Sequence, residues 1–102
     1  MFARVNADGT FAAVSPSVDL EGTGNKAKFT FPGSLPGEYQ VGFYPTQVQQ
    51  CAAVATVQNT AFLGHTVGFA TVGYSSSYQV TVQTFDASGN PADMAFDLIV
   101  MC

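Results

Sequence analysis

Alternation of apolar and polar side chains is the strongest signal along the chain, and it is clearest from Tyr78 onward. In the run YQVTVQTF, Tyr78, Val80 and Val82 alternate with Gln79, Thr81 and Gln83. In MAFDLIVMC, Met94, Phe96, Leu98, Val100 and Cys102 fall on one face, and Ala95, Asp97, Ile99 and Met101 on the other. A period of two marks a half-buried strand, because successive side chains leave a pleated backbone on opposite sides. The turn formers DASGNPAD between the two runs predict an antiparallel hairpin over residues 78–102. In that reading Cys102 shares the core face of Phe96, Leu98 and Val100 and points inward. Ile99 and Met101 lie on the opposite face, where they form a candidate contact for self-association.

The same pattern recurs upstream. Phe2–Val5 and Phe11–Val14 flank NADGT, and Asp-Gly between apolar runs predicts a hairpin because Gly accepts the backbone conformation that such turns require. Ser15-Pro16 ends the second run, and residues 17–21 read as a short strand before the turn GTGN. KAKFTF places Ala27, Phe29 and Phe31 inward and Lys26, Lys28 and Thr30 outward, and two outward lysines suit an edge strand. The loop PGSLPG follows. EYQVGFY then directs Tyr39, Val41 and Phe43 to the core and ends at Pro45. CAAVATV is a strand whose alanines suit the close approach of a neighbour. Between residues 58 and 77 the pattern is poor, and one strand is expected at 66–72, with Gly64, Gly68 and Gly73 permitting bends. Seven to nine short strands without a helical period predict a single all-β domain over residues 1–102, an antiparallel β-sandwich or barrel with one disulfide.

Composition narrows the partners. Charged residues are 10% of the chain, against roughly 25% in ordinary globular domains. The three cations, Arg4, Lys26 and Lys28, leave a net charge of −4, which argues against nucleic acid and against an anionic membrane surface. Ser, Thr, Asn and Gln occupy 28 of the 102 positions, a neutral polarity common in secreted, fibre-forming and sugar-binding β-proteins. No run approaches the 18 or so apolar residues of a membrane span. The opening MFARVNADGT lacks the basic and apolar regions of a signal peptide, so the chain reads as a mature or excised domain, or one released without a signal, as by lysis. Cys51 and Cys102 both sit in strand-like runs; a disulfide between them is expected and implies an oxidising destination, the alternative being two independent buried thiols.

Candidate chemistry is thin. His65 stands in a Gly-rich stretch with no acidic neighbour to orient it as a base. One His and two distant Cys make no zinc set. The 86–93 loop offers oxygen side chains at alternate positions, but it lacks the closing bidentate Glu of a calcium loop, so Asp86 and Asn90 are expected to cap the turn. No catalytic residue, metal or cofactor is therefore assigned, and an enzyme is not expected. Tyr39 and Tyr78 read as buried, whereas Tyr44 and Tyr74 sit near loops, where an aromatic ring could stack on a sugar.

Three stretches, ARVNADGT at 3–10, CAAVATV at 51–57 and TFDASGNPADMAFDLIVMC at 84–102, resemble an uncharacterised bacterial β-domain family found in secreted actinobacterial and other proteins and at times beside phage-like sequences. The likeness touches both ends and the centre of the chain, and the closing stretch is its most specific part. It implies an extracellular domain with Cys51 and Cys102 paired, and no particular activity. The expectation is a non-enzymatic structural or assembly module of an extracellular appendage, a surface fibre or a phage virion part, working as a homo-oligomer. The second reading is a carbohydrate- or surface-binding module.

Overall fold

The computed structural model describes residues 1–14, 28–29, 36–43, 46–58 and 68–102. They form eight strands: β1 (Phe2–Val5), β2 (Phe11–Val14), β3 (Lys28–Phe29), β4 (Glu38–Gly42), β5 (Ala52–Val57), β6 (Gly68–Ser76), β7 (Gln79–Asp86) and β8 (Phe96–Met101). One 3-10 turn, Val48–Gln50, lies between β4 and β5. The first sheet has the order β2-β1-β8-β5 and the second the order β3-β4-β7-β6, with every pairing antiparallel. Among the described residues no ladder joins the two sheets, and the architecture is a sandwich.

Alternation predicts the core well. Ala3, Val5, Phe96, Leu98 and Val100 from the first sheet meet Tyr39, Val41, Val80 and Val82 from the second, all buried, with Phe43 and Val48 beside them. Across the interior the rings of Tyr39 and Phe96 meet edge-on at 4.9 Å. Full burial of each such Val, Leu or Phe side chain contributes about 1.5–3 kcal/mol. β5 and β6, at one edge of each sheet, pack together, and the alanines of β5 allow that approach.

The expected hairpin at 78–102 is not formed. β7 lies in the second sheet, between β4 and β6, and β8 lies in the first, between β1 and β5. The two strands contribute opposite walls of one core. Residues 87–95 carry the chain across, held by Thr84, whose buried Oγ1 donates to the Ala92 carbonyl (2.5 Å), and by Asp93, whose Oδ1 accepts from the Gly37 amide (2.6 Å). Periodicity reports which face of a strand is buried, and an opposite sheet satisfies that demand as well as a neighbouring strand does. The real partner of β7 is β6, which turns at Ser77–Tyr78 and runs through Tyr74 to Ser76, well past the expected 66–72 strand.

Other expectations hold. β1 and β2 form the predicted hairpin: Asn6 N donates to the Thr10 carbonyl (2.8 Å), Gly9 takes φ 87°, and Asp8 Oδ1 accepts from Thr10 N and Thr10 Oγ1. β3 lies at an edge of its sheet, as the lysine pattern suggests. The expected strand at 17–21 lies outside the described residues. Cys102 continues the core face of β8 but runs past the end of the core, so it is exposed and does not point inward.

Candidate functional site

Cys51 and Cys102 are bonded, with their Cα atoms 4.4 Å apart. Ala52 and Met101 are the last paired residues of β5 and β8, so the two cysteines are the next pair outward and close the open end of that ladder. Beside them the Tyr74 hydroxyl donates to the Cys51 carbonyl (2.5 Å), tying β6 to the disulfide across the sandwich edge. Tyr74 is 39% exposed, but its hydroxyl is occupied by this bond. Tyr44 and His65 lie outside the described residues. Tyr39 is buried and donates to the Ala7 carbonyl (2.8 Å), and Tyr78 is half-buried.

In the 86–93 loop, Asp86 Oδ1 accepts from the amides of Ser88 (2.9 Å) and Asn90 (3.0 Å), while Asp86 N donates to the Asn90 carbonyl (2.9 Å). Asp86 thus caps its own turn, and Asn90 takes part through its backbone. Asp93 is turned toward Gly37 instead. Among the described residues no group of three or more His, Cys, Asp and Glu is placed to hold a metal ion, and no helix is long and apolar enough to cross a membrane.

What remains is two outward sheet faces of different chemistry. On the first sheet the register aligns Phe2 of β1, Ile99 of β8 and Val54 of β5 in one row, and Met101 stands one row further on. These four are 46%, 46%, 52% and 57% exposed. An open hollow of about 320 Å³ lies over β1 and β8, bordered by Phe2, Ala13, Ile99 and the Arg4–Asp97 pair. Asp97 Oδ1 accepts from Arg4 Nε (2.9 Å) and Gln58 Nε2 (2.6 Å), so the apolar row ends at a polar margin. Ile99 and Met101 are identifiable from sequence, whereas Phe2 and Val54 join them only because β8 runs between β1 and β5.

On the second sheet the outward residues are Glu38 and Gln40 of β4, Gln79, Thr81, Gln83 and Phe85 of β7, and Phe69, Thr71 and Gly73 of β6. Phe69 and Phe85 pair across the strands with nearly parallel rings (15°) and centroids 4.8 Å apart. The sequence signal for this pair is Phe85 itself, an aromatic ring on the polar side of YQVTVQTF. Its partner depends on the β6 register, which the poor pattern of that region conceals. No protein-family profile, curated protein or solved structure matches the chain.

Proposed function

We propose that the chain is a non-enzymatic assembly module of an extracellular appendage, a cell-surface fibre or a virion part, and that copies associate through the outward face of the first sheet. The observation that carries this reading is the row Phe2–Ile99–Val54 with Met101 beside it, four large apolar side chains left about half exposed on one sheet face. Directly opposed cross-strand neighbours act as one patch, and contiguous exposed apolar patches mark contact sites. The disulfide, the scarcity of charge and the resemblance of the 84–102 stretch to a secreted β-domain family support a destination outside the cytoplasm.

Magnitude sets the mode of association. Two strands of four residues and two of six present a face roughly 15–20 Å on a side. That is at most about half of the ~800 Å² per partner found in a standard interface. One such contact is weak, micromolar or poorer, and becomes effective when many copies are arrayed.

Sedimentation velocity over a concentration series tests the reading. The expected result is reversible association that strengthens with concentration and changes little with salt, because the contact is apolar. Replacing Ile99→Lys and Met101→Lys together should abolish it while circular dichroism and melting temperature stay near wild type, since both side chains already face water. A wild-type protein that stays monomeric at millimolar concentration, or a double variant that associates unchanged, would overturn the proposal.

A further inference from the structure

We infer that the outward face of the second sheet is a binding surface for a neutral, hydroxyl-rich polymer, that is, an uncharged polysaccharide. The inference concerns the sheet opposite the proposed self-association face and does not depend on that contact.

Three features of this face point to such a ligand. The first is the stacked Phe69–Phe85 pair at one end of the sheet, with Phe69 still 48% exposed beside the partner ring. An exposed aromatic ring offers a flat apolar surface to the C–H face of a pyranose. The second is the field of polar groups next to it. Rows across the sheet run Thr71–Gln83–Glu38 and then Gly73–Thr81–Gln40. The side-chain amides of Gln40 and Gln83 and the hydroxyls of Thr71 and Thr81 have no hydrogen-bond partner within the chain among the described residues; only Gln79 is occupied, accepting from Ser75 Oγ (2.9 Å). Amide and hydroxyl groups can each donate and accept, which matches the two-way hydrogen bonding of sugar hydroxyls. The third is scarcity of charge: Glu38 carries the only charge among the described side chains of this face. Lys28 of β3 pairs with Gln40 at the border of the face, but one cation in a chain of net charge −4 is too few to hold a polyanion, and a protein partner would find no large apolar centre of the kind that interface cores use.

Geometry supplies the footprint. Adjacent outward residues on a strand are about 6.6 Å apart and strands about 4.8 Å apart. The path from the phenylalanine pair to the Gly73 row therefore spans roughly two outward steps, about the length of two or three sugar rings. Gly73 leaves this path open, since a Cβ built there meets no atom within 4 Å.

Affinity electrophoresis of the disulfide-bonded protein tests the inference. Gels are cast with a mixed-linkage β-glucan, a galactomannan or dextran, with alginate as a polyanionic control, and mobility is normalised to a gel without polysaccharide. Retardation by at least one neutral polysaccharide and none by alginate is expected. Phe69→Ala should weaken it at least tenfold. Gly73→Ile should do the same by placing a bulky chain on the open path, without a clash that would disturb folding. The Ile99→Lys/Met101→Lys variant should bind as wild type does, which separates this face from the first sheet. Absence of retardation in all three neutral gels, equal retardation in alginate, or full binding by both face variants would overturn the inference.

Discussion

Two single residues carry sharp consequences for stability. Gly37 takes φ +77° in the turn before β4, and a Cβ there would stand 2.5 Å from the Thr84 carbonyl oxygen and 2.6 Å from that of Ala92. Both obstacles are backbone, in the segments that lock the crossover between sheets, so neither can swing aside. Gly37→Ala should cost about 3 kcal/mol or more, the left-handed backbone alone accounting for about 1–2 kcal/mol. It should show as a lower urea midpoint with unchanged slope; an unchanged midpoint would mean that the crossover yields freely. Tyr39 gives the molecule a pH response. Burial, reinforced by the nearby Asp93 carboxylate, pushes its hydroxyl from the ordinary 10.0 to about 12. The folded protein thus holds this proton more tightly than the unfolded chain does. The stability it contributes is intact below pH 10 and is lost as pH rises from 10 through about 12, by on the order of 2–3 kcal/mol. Urea titrations at pH 9 and pH 11.5 should reveal that decline in the wild type and a much flatter response in Tyr39→Phe. An equal decline in both would assign it to another group.

At the level of elements, what was legible in the sequence was local. The β1–β2 hairpin is written into Asn6–Thr10, and the buried faces of β4, β7 and β8 follow from alternation at Tyr39–Val41, Val80–Val82 and Phe96–Val100. The assignment of strands to sheets was not legible. Nine residues, 87–95, separate β7 from β8, enough to turn a hairpin and also enough to cross to the other layer. The far half of β6 was hidden for a different reason. Gly73 and the serines after it resemble a turn, yet a bulge at Ser75 keeps the strand in register with β7 as far as Gln79. The 3-10 turn at Val48–Gln50 is too short to leave a periodic trace, although buried Val48 anchors it and its amide donates to the Ser77 carbonyl (2.7 Å). The cysteine pairing was legible because the chain contains only two. Its closure of a 51-residue separation constrains the unfolded chain by about 4 kcal/mol in the chain-entropy view. Of the two outward faces, sequence shows one strand each, Ile99 and Met101 of β8 and Gln79 to Phe85 of β7. A cross-strand row exists only once a register exists.

Over the whole molecule, the sandwich divides its outer surface by chemistry, with a row of apolar side chains outside one sheet and amides and hydroxyls beside a phenylalanine pair outside the other. The two contacts proposed above would lie on opposite sides of the sandwich and would not compete. The place of β8 adds a consequence in time. This strand lies in the middle of its sheet, pairing with β1 across separations such as the 93 positions between Arg4 and Asp97. Until it arrives, β1 and β5 have no strand between them and each presents a bare edge. The first sheet therefore cannot assemble before β8 is available, and during that interval the exposed edges are open to wrong partners. Assembly of this sheet should consequently wait for β8, with the Cys51–Cys102 bond formed at its close. Refolding from the reduced state, with thiols trapped at intervals and amide protection followed in parallel, should find the native bond forming with or after protection of β8; a bond complete before that protection would point to a different order of events.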